Sequence, residues 1–566
     1  MTKARRFLAV AGIAAMTALL TTVPARLNAQ GGSALTGEVS SQAEGKMEGV
    51  VVSARRDGGN MTVSVTTDAK GRFSFPRTHL TPGAYKVTTR AVGYDLVDPG
   101  PVAVAAGKAT KKNLALEKTQ NLAAQLSSAE WMMSVNGTPE EKDRFNYMLM
   151  SCNYCHTLNR VFMSKHDSAS LLKALDRMVR YYADGTAKSN DNRRGRAALV
   201  QEPGRESMEK DPDWGAFQAV PRTEIAAFVE KNNLKGRAGY PYELKTFPRV
   251  KGKGTRVIVT EWDMPVAGTV THDSDLDSQG NLWYTDESAQ LLGRFNTKTY
   301  EIKEWGPPTL PEIPKGQMAG TRDVIVDHKD KVWFPVRFPG NHAKMARFDP
   351  VTEKLEAIEG VGGQFVARGG DGSVWAGNTK IDPDTMKVVD RYSYQGAKVL
   401  PPGQNGGYHT LVDSRGNPWV ATYRGPGGFI GIDGKTKEVT FVSAPGLKAR
   451  RGRIDHRDDK FYFGEYLADK VGMFDIPSGK YVRFDTPKFS TPYAASIADK
   501  KGRFYAPSNG LERFFQVDPK TGEVVQYQMP TEFDVKKLSI DNSGPRPVLW
   551  MTNKRTARVT RVEPLD

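Results

Sequence analysis

Cysteine is scarce in this chain, and so are long apolar runs. Cys152 and Cys155 are the only cysteines among 566 residues, so the chain lacks the second ligand pair that a zinc finger needs. Beyond one apolar run near the amino terminus, no stretch is long enough to cross a bilayer as a helix, which excludes a protein with several membrane spans. Negative charge is also in deficit, with 64 acidic residues against 80 Lys and Arg.

The amino-terminal apolar run has the layout of a secretory signal peptide. Lys3, Arg5 and Arg6 precede the run, and a proline and small residues follow it. The run is short for a membrane span, although an uncleaved amino-terminal anchor remains an alternative. We therefore predict a signal peptide at 1–29 and a periplasmic or secreted protein.

The formal net charge of +16 suits particular partners of an exported protein. A basic surface attracts an acidic redox partner, an anionic substrate or an anionic membrane surface, and it is equally compatible with a plain soluble surface. The charge is dispersed and no nucleic-acid-binding motif is present, so we expect no nucleic acid partner.

Residues 34–117 have the pattern of a small all-β sandwich. Runs of valine, threonine and aromatic residues alternate with Asp-Gly and Pro-Gly turn signals. A turn–Gly–x–Phe–x–Phe strand at 71–75 and a Leu-x-Pro-Gly-x-Tyr hairpin at 80–85 resemble the carboxypeptidase regulatory-like domain. The resemblance implies a packing or adhesion module without chemistry of its own.

Residues 118–235 predict a small helical domain, because apolar residues recur there at helical spacing. This segment contains both cysteines, in the sequence Cys-Asn-Tyr-Cys-His. A thioredoxin-type redox pair would need a βαβ neighbourhood, a zinc site would need more ligands, and a disulfide across this spacing would be strained. Attachment of a c-type haem fits an exported helical segment, with Cys152 and Cys155 as thioether anchors and His156 as the proximal iron ligand.

The distal iron ligand is less constrained by the sequence. The order of the motif, a leucine-rich helix with a methionine, a loop and a final helix resembles very small monohaem cytochrome c domains. In those domains a methionine in or after the second helix completes the coordination, which favours Met178, with Met208 as the alternative. His166 or an open site remains, although Met163 and His166 lie close to the anchor in sequence.

From residue 255 onward the chain repeats at a spacing of roughly 43 residues. Each copy has a polar turn followed by an aromatic residue at one fixed place, and these aromatics are Trp283, Trp333, Trp375, Trp419, Tyr462, Tyr505 and Trp550. A strand, a hairpin turn and another strand separate successive copies, so each period holds the four strands of one propeller blade. The strand at 256–265 precedes the first copy and the last copy is one strand short, so the two should complete one closing blade.

The repeats contain short sequence motifs that resemble those of a known family. Gly-Asn-Leu-Trp-Tyr-Thr, Gly-Arg-Phe and Thr-Gly-Glu-Val followed by Tyr-Gln-Met-Pro resemble streptogramin B lyase, also called virginiamycin B lyase, over 255–566. The resemblance implies a propeller fold and an enzyme that opens a cyclic depsipeptide by elimination, using magnesium held by glutamates and a histidine base. This chain departs from that pattern late in the ring, where no histidine follows His456.

Positions before the inner strand and after the aromatic strand of each blade should line one mouth of the central channel. We take His272, His409, Arg337 and Glu465 as candidate catalytic residues, because imidazoles and carboxylates bind a divalent cation or act as bases and arginine holds anions. Polar residues also line any solvated channel, which is the plainer alternative. The other mouth positions are Asp273, Asp286, Glu287, Arg322, Asp323, Tyr423, Arg424, Arg453, Tyr466, Tyr493, Asn509 and Asn553.

The sequence thus predicts a mainly β protein, with a seven-bladed β-propeller preceded by a small all-β sandwich and a small helical cytochrome c-like domain. We expect periplasmic electron transfer or a dehydrogenase component, with haem c, a possible divalent cation in the channel, and an exported redox carrier or dehydrogenase as partner. A metal-dependent lyase and a non-catalytic binding module are the alternatives.

The choice of distal ligand can be tested by spectroscopy. If Met178 is the ligand, the oxidised protein should show the weak sulfur-to-iron band in the far red, and Met178→Ala should remove that band while Met208→Ala keeps it. The reverse result would assign Met208. A low reduction potential without the band would instead indicate His166 or an open site.

Overall fold

The computed structural model describes residues 32–153, 156–180, 221–266, 268–286, 291–306, 320–337, 344–358, 360–363, 365–404 and 406–566. Strands predominate in these ranges, which confirms the mainly β fold class. No helix in the same ranges is long and apolar enough to cross a membrane.

The amino-terminal domain is a β-sandwich. Its strands are β1 (Ser33–Ser41), β2 (Gly45–Lys46), β3 (Val51–Arg56), β4 (Met61–Thr66), β5 (Arg72–Pro76), β6 (Gly83–Arg90), β7 (Tyr94–Leu96), β8 (Val102–Val104), β9 (Thr110–Lys111) and β10 (Leu114–Lys118). One sheet is built around β1, and β3, β4, β6 and β8 lie in the other. Phe73 and Phe75 alternate with exposed residues along β5 and enter the core between the sheets, as the period of a strand requires.

A helical domain follows the sandwich. Its helices are α1 (Leu122–Gln125), α2 (Ser128–Ser134), α3 (Pro139–Asn153), α4 (Asn159–Phe162), α5 (Ser168–Arg180) and α6 (Arg222–Asn232). Ser127 and Glu130 form a reciprocal capping box that fixes the start of α2. The core of the domain contains Trp131, stacked on Phe162.

The rest of the chain forms a ring of small antiparallel sheets after a 3-10 turn (Gly252–Thr255). The strands of the first four sheets are β12 (Thr271–Leu276), β13 (Asn281–Asp286), β14 (Leu291–Asn296), β15 (Ile302–Trp305); β16 (Gly320–Thr321), β17 (Ile325–Val326), β18 (Val332–Arg337), β19 (Lys344–Phe348), β20 (Leu355–Ile358); β21 (Val366–Arg368), β22 (Val374–Ala376), β23 (Thr379–Asp382), β24 (Lys387–Arg391); β25 (Gly407–Val412), β26 (Pro418–Thr422), β27 (Gly428–Ile432) and β28 (Val439–Ser443).

The remaining sheets complete the ring. Their strands are β29 (Ala449–Asp455), β30 (Lys460–Glu465), β31 (Lys470–Asp475), β32 (Lys480–Asp485); β33 (Phe504–Pro507), β34 (Arg513–Val517), β35 (Val524–Gln528); β36 (Leu538–Asp541), β37 (Val548–Asn553), β38 (Arg558–Pro564) and, from earlier in the chain, β11 (Val257–Asp263). We number the sheets one to seven in chain order, with β36, β37, β38 and β11 as the seventh. The inner strands of the first five sheets lie side by side in sequence, β12 with β17, β17 with β21, β21 with β25 and β25 with β29, and β36 of the seventh sheet contacts β12 of the first.

A local hydrogen bond explains why the repeat pairs a polar turn with an aromatic residue. The indole N–H of Trp283 donates to Asp277 at 3.0 Å, and Trp333 donates in the same way to Asp327 at 2.7 Å. Both rings are fully buried, so their polar atoms need a partner inside the sheet. The same aspartate also accepts backbone N–H groups of its own turn, as Asp327 does from Lys329.

Strand β11 joins the ring to the sandwich. Along one edge it pairs antiparallel with β38, from Val257 opposite Pro564 to Asp263 opposite Arg558. Along the other edge it pairs antiparallel with β4 of the sandwich. The seventh sheet therefore continues through β11 into β4, β3, β6 and β8 as one sheet.

The double pairing of β11 can be tested with one substitution. Thr260 lies in the middle of β11, opposite Arg561 on one side and Val63 on the other. Thr260→Pro removes a ladder donor whichever neighbour that N–H faces, so we expect a loss of roughly 2–3 kcal/mol in the free energy of unfolding measured in urea. The control Thr260→Val keeps the N–H and should cost less than about 1 kcal/mol. Equal stability of the two variants would contradict the pairing.

Candidate functional site

The predicted mouth residues are mostly buried side chains. The buried members are His272, Asp273, Asp286, Arg322, Asp323, His409, Tyr423, Glu465, Tyr466, Tyr493, Asn509 and Asn553. The side chain of Arg337, at the end of β18, lies outside the described atoms, and Glu287 lies outside the described residues. Buried polar groups need partners, so the contacts among these residues define the site.

Ion pairs cross the central channel. Arg451 of the fifth sheet contacts Asp273 of the first sheet and lies 3.2 Å from Asp323 of the second. Lys537 of the seventh sheet lies 3.0 Å from the other oxygen of Asp323. Burial lowers the pKa of Lys537, while the charges of Asp273 and Asp323 outweigh burial and raise the pKa of Arg451. Below, these four residues are called the channel network.

A second ion pair is formed by Arg453 and Asp275, which lie two residues after Arg451 and Asp273 on the same two strands. Arg453 is 3.0 Å from Asp275, whose other oxygen accepts the backbone N–H of Val326. Burial acts to raise the pKa of Asp275, but the nearby cations, Arg453 first, lower it well below the usual range. Asp275 is therefore held as an anion by cations that include Arg453 from the far side of the ring.

The two candidate histidines lie against the channel network. Nδ1 of His272 is 3.2 Å from Asp273, and Nε of Arg322 donates to its Nε2 at 3.4 Å. Nε2 of His409 is 3.7 Å from Asp323, and neither ring nitrogen of His409 has a hydrogen-bond partner among the described residues. Burial and the charge of Arg451 lower the pKa of His409 well below its ordinary value, so its imidazole is neutral at pH 7.

Glu465 lies apart from the histidines. Its carboxylate accepts from Nε and Nη2 of Arg483, both at 2.6 Å, and from the backbone N–H of Lys448 at 3.0 Å. This arrangement ties the end of β30 to β32 and leaves no described contact with His272 or His409. A catalytic role for Glu465 stays a prediction.

A tyrosine cluster lies beside the channel network, and of its members only Tyr408 and Arg450 were not among the predicted mouth positions. The guanidinium of Arg450 packs over the rings of four tyrosines, at 4.3 Å from the ring centre of Tyr408, 5.2 Å from Tyr423, 4.9 Å from Tyr466 and 5.0 Å from Tyr493. Nη1 of Arg450 also donates to the hydroxyl of Tyr423 at 3.0 Å. The hydroxyls of Tyr408 and Tyr493 are hydrogen-bonded at 2.9 Å.

Arg450 and Arg451 precede the predicted Arg453 on β29 and were not among the predicted mouth positions. The β29–β30 pairing shifts register between Ala449 and Gly452, and equivalent shifts occur in the first and fourth sheets. Arg451 precedes Tyr462 by 11 positions, as His272 precedes Trp283, so the spacing of the repeat itself identifies Arg451. The signal available was the cationic run at 450–453 just ahead of the aromatic strand.

The charges around Tyr408 change its proton affinity. Burial acts to raise the pKa of this phenol, but the positive charges of Arg450 and Arg322 and the hydrogen bond from Tyr493 outweigh burial and lower the pKa to about 7. Burial and the neighbouring Tyr408 raise the pKa of Tyr493 well above its ordinary value. The pair therefore shares one negative charge near neutral pH, centred on Tyr408.

The Cys-x-x-Cys-His segment begins at the end of α3. Cys152 is half-buried and packs against the core of the helical domain, and its carbonyl accepts the backbone N–H of His156 at 3.2 Å. Nδ1 of His156 lies 2.8 Å from the carbonyl oxygen of Thr157. A carbonyl only accepts, so Nδ1 carries the proton and Nε2 has the lone pair in the neutral imidazole.

Other predicted haem ligands are only partly visible. Cys155 and Met208 lie outside the described residues, and Met178 belongs to α5 with its side chain outside the described atoms. Met163 is half-buried against the helical core, whereas His166 is exposed. The distal ligand therefore stays a prediction.

Asn153, which directly follows Cys152, contacts residues at the mouth of the ring. Asn153 is fully buried, and its amide donates to the carbonyl of Asn509 at 3.1 Å. Arg555, which follows β37, donates to both the carbonyl and the side-chain oxygen of Asn153 at 2.6 Å. Asn509 is one of the predicted mouth positions, so Asn153, the residue after Cys152, is in direct contact with the predicted mouth.

The amino-terminal sandwich can now be identified. Residues 34–117 match the family model of the carboxypeptidase regulatory-like domain. This part of the chain is a carboxypeptidase regulatory-like domain. It contacts the ring through β4 and through His79, whose Nε2 lies 2.9 Å from Glu563.

Similar solved structures include bacterial lyases. Virginiamycin B lyase from Staphylococcus aureus is similar at 16% identity over 54% of this chain and 99% of its own, with a TM-score of 0.44. A streptogramin B lyase structure gives 16% identity over 55% and 99%, with a TM-score of 0.45. A mitotic checkpoint complex chain gives 10% identity over 58% and 97%, with a TM-score of 0.42. No curated protein matched.

The charge on Tyr408 can be measured directly. We expect a phenolate absorbance change with a midpoint near pH 7 that Tyr408→Phe removes and that Tyr300→Phe, in an ordinary surface ring, leaves unchanged. Because the folded pKa lies below the unfolded value of 10.0, ionisation stabilises the fold above pH 7, and this stabilisation is lost as the pH falls through 7. The stability difference between wild type and Tyr408→Phe should thus widen from pH 7 to pH 10. A titration without a phase near pH 7 would contradict the assignment.

Proposed function

We propose that the chain is an exported c-type cytochrome fused to a seven-bladed β-propeller, and that it transfers electrons from a donor or partner at the propeller mouth. The observation that carries this proposal is the contact of Asn153 with Asn509 and Arg555. It fixes Asn153, the residue after the first proposed anchor cysteine, against the mouth. A haem held there would lie beside whatever the mouth binds.

The residues at the motif fit a haem. Donation from Nδ1 of His156 to the carbonyl of Thr157 sets the tautomer and ring orientation that a histidine ligand of a metal uses. Cys152 borders an apolar helical core containing Trp131 and Phe162, which suits an apolar macrocycle. A bound haem supplies one-electron redox chemistry at this place.

Each residue of the motif has a distinct role in the proposal. Cys152 and Cys155 would hold the group covalently, and His156 would bind its iron through Nε2, with Met178 or Met208 as a second iron ligand. Asn153 and Arg555 orient the segment and carry no electrons. Arg555 also places a positive charge next to the anchor, which favours the reduced iron.

The exported location and the basic surface support a redox partner outside the cytoplasm. Residues 1–29 have the signal-peptide pattern, and the chain carries a formal charge of +16. An acidic exported carrier or a dehydrogenase would be attracted to such a surface. The donor at the mouth is either such a partner or a small molecule.

The lyase alternative requires carboxylates that can hold a divalent cation. At the described mouth, Asp273 and Asp323 are ion-paired with Arg451, Asp323 also with Lys537, and Glu465 with Arg483. A cation entering the channel would have to displace these buried cationic side chains and would be repelled by them. The charges therefore favour the electron-transfer proposal over metal-dependent elimination.

Haem attachment is the experiment that tests the proposal. Protein exported from cells with a cytochrome c maturation system should retain haem stain after denaturing electrophoresis. Cys152→Ala and Cys155→Ala should each leave at most one thioether bond, and His156→Ala should abolish the low-spin iron spectrum. The control His328→Ala, on an exposed turn of the ring, should change neither.

Two outcomes would overturn the proposal. Haem stain that disappears on denaturation would remove the cofactor. Cation-dependent opening of a cyclic streptogramin B that persists in His156→Ala would establish the lyase instead, while leaving the description of the fold intact.

A further inference from the structure

Arg450 differs from the other cations of the mouth in its partners. Arg451 pairs with Asp273, Arg453 with Asp275, and Lys536 with Asp534 at 2.7 Å. Arg450 has no carboxylate partner among the described residues, where it contacts only tyrosines. While Tyr408 is protonated, this half-buried cation has no opposite charge beside it, which is costly, so the position then favours a bound anion.

The surroundings of Arg450 leave part of its guanidinium uncommitted. The four tyrosine rings cover the guanidinium, and Nη1 donates to Tyr423. Nε is buried and has no acceptor among the described residues. An arginine presents its donors as a planar fork, so a planar oxyanion in the plane of the guanidinium would complete its hydrogen bonds.

The size of the charge and the nature of the walls define the ligand class. One unmatched positive charge calls for one negative charge, because Asp273 and Asp323 of the adjoining channel network would repel a dianion. The ring of Phe365, 4.8 Å from that of Tyr408, extends the aromatic wall. An apolar or aromatic body attached to the anion would pack against these rings.

We propose that the mouth binds a carboxylate ligand, with the carboxylate hydrogen-bonded to Arg450 and its organic part against the tyrosine cluster and Phe365. The inference names the ligand class of the mouth and in that respect rests on the proposed function. Binding itself does not require haem, so the two can fail separately.

Ionisation of the Tyr408 phenol should make the affinity for a carboxylate ligand depend on pH. The groups that face its hydroxyl and ring are Arg450 and Arg451 of β29, Arg322 of the second sheet, Tyr493, Tyr423 and Phe365, with His409 next to it on β25. Without a ligand, the Tyr408 phenolate supplies the counter-charge for Arg450. A carboxylate at Arg450 replaces that charge, so binding takes up a proton and weakens as the phenol ionises.

Benzoate is the probe for the test, with neutral benzamide as its matched control. Calorimetric titration of the full chain at pH 6 should show benzoate binding at least about tenfold tighter than benzamide, a difference of about 1.4 kcal/mol. Arg450→Gln should lose at least tenfold in benzoate affinity. Arg415→Gln, at a surface arginine paired with Asp413, should bind as wild type does.

The pH profile supplies a second test that does not depend on removing Arg450. Benzoate affinity should fall by about tenfold per pH unit above the Tyr408 midpoint. Tyr408→Phe should bind benzoate with an affinity that stays constant over the same range. If Arg450→Gln does not fold, the comparison of Tyr408→Phe with wild type decides the question.

The outcomes that overturn the inference are distinct from those that overturn the proposed function. Equal affinity for benzoate and benzamide, unchanged affinity in folded Arg450→Gln, a flat wild-type pH profile, or inorganic phosphate binding more tightly than benzoate would each refute the carboxylate site. The His156→Ala variant should bind benzoate as wild type does. Benzoate binding in a protein that fails to attach haem would refute electron transfer and keep the site.

Discussion

The hydrogen bonding of β11 along both of its edges is the constraint on which the rest of the structure depends. Its pairing with β38 joins residues near the start of the ring to the last strand of the chain. A propeller is stable only when its last sheet closes on its first, because open sheets would expose their faces and edges. The other edge of β11, which such a closure would leave exposed, is covered by β4 of the regulatory-like domain.

Closure of the ring brings the charges of the channel together. Arg451 and Asp323 are far apart in sequence, in the fifth and second sheets, and meet only when all the sheets between them are in place. Buried charges of this kind are costly unless they are paired, so the channel network favours the closed ring over partly assembled forms. Asp273 and Asp323 are already paired within this network, so neither is a partner of Arg450, which packs against tyrosines. The mouth therefore favours the binding of an anion.

The parts of this structure that could be predicted from the sequence are those whose interacting residues lie close together in the chain. The repeat is visible because the Asp277 and Trp283 partners lie within one turn and one strand, and the copies with Trp333 and Trp419 make the same hydrogen bond to their own aspartate. The Cys152–His156 segment and the Phe73 and Phe75 strand are local in the same sense. His272 and His409 were placed at the mouth for the same reason, since their offset from the aromatic strand is regular.

The parts that could not be predicted depend on residues brought together by the fold. Tyr408 and Tyr493 belong to different sheets, and no local pattern pairs them. Arg450 was missed because nothing in its own stretch of chain shows that tyrosines from elsewhere in the ring surround it. The pairing of β4 with β11 was also invisible, because an edge strand of one domain carries no sign of which other edge will extend it.

A chain of contacts connects the regulatory-like domain to Asn153, the residue after Cys152. Arg90, at the end of β6, lies 3.3 Å from Glu512 of the ring, and Glu512 lies 3.9 Å from Arg555, which holds Asn153. Burial raises the pKa of Glu512 to about 7 although both arginines oppose the shift. Glu512 lines a cavity of about 190 Å³. Residues of the regulatory-like domain, the helical domain and the ring all contribute to the lining of this cavity. Loss of the regulatory-like domain would leave Glu512 without Arg90 and weaken the hold on Arg555, so this domain helps to fix the position of Asn153.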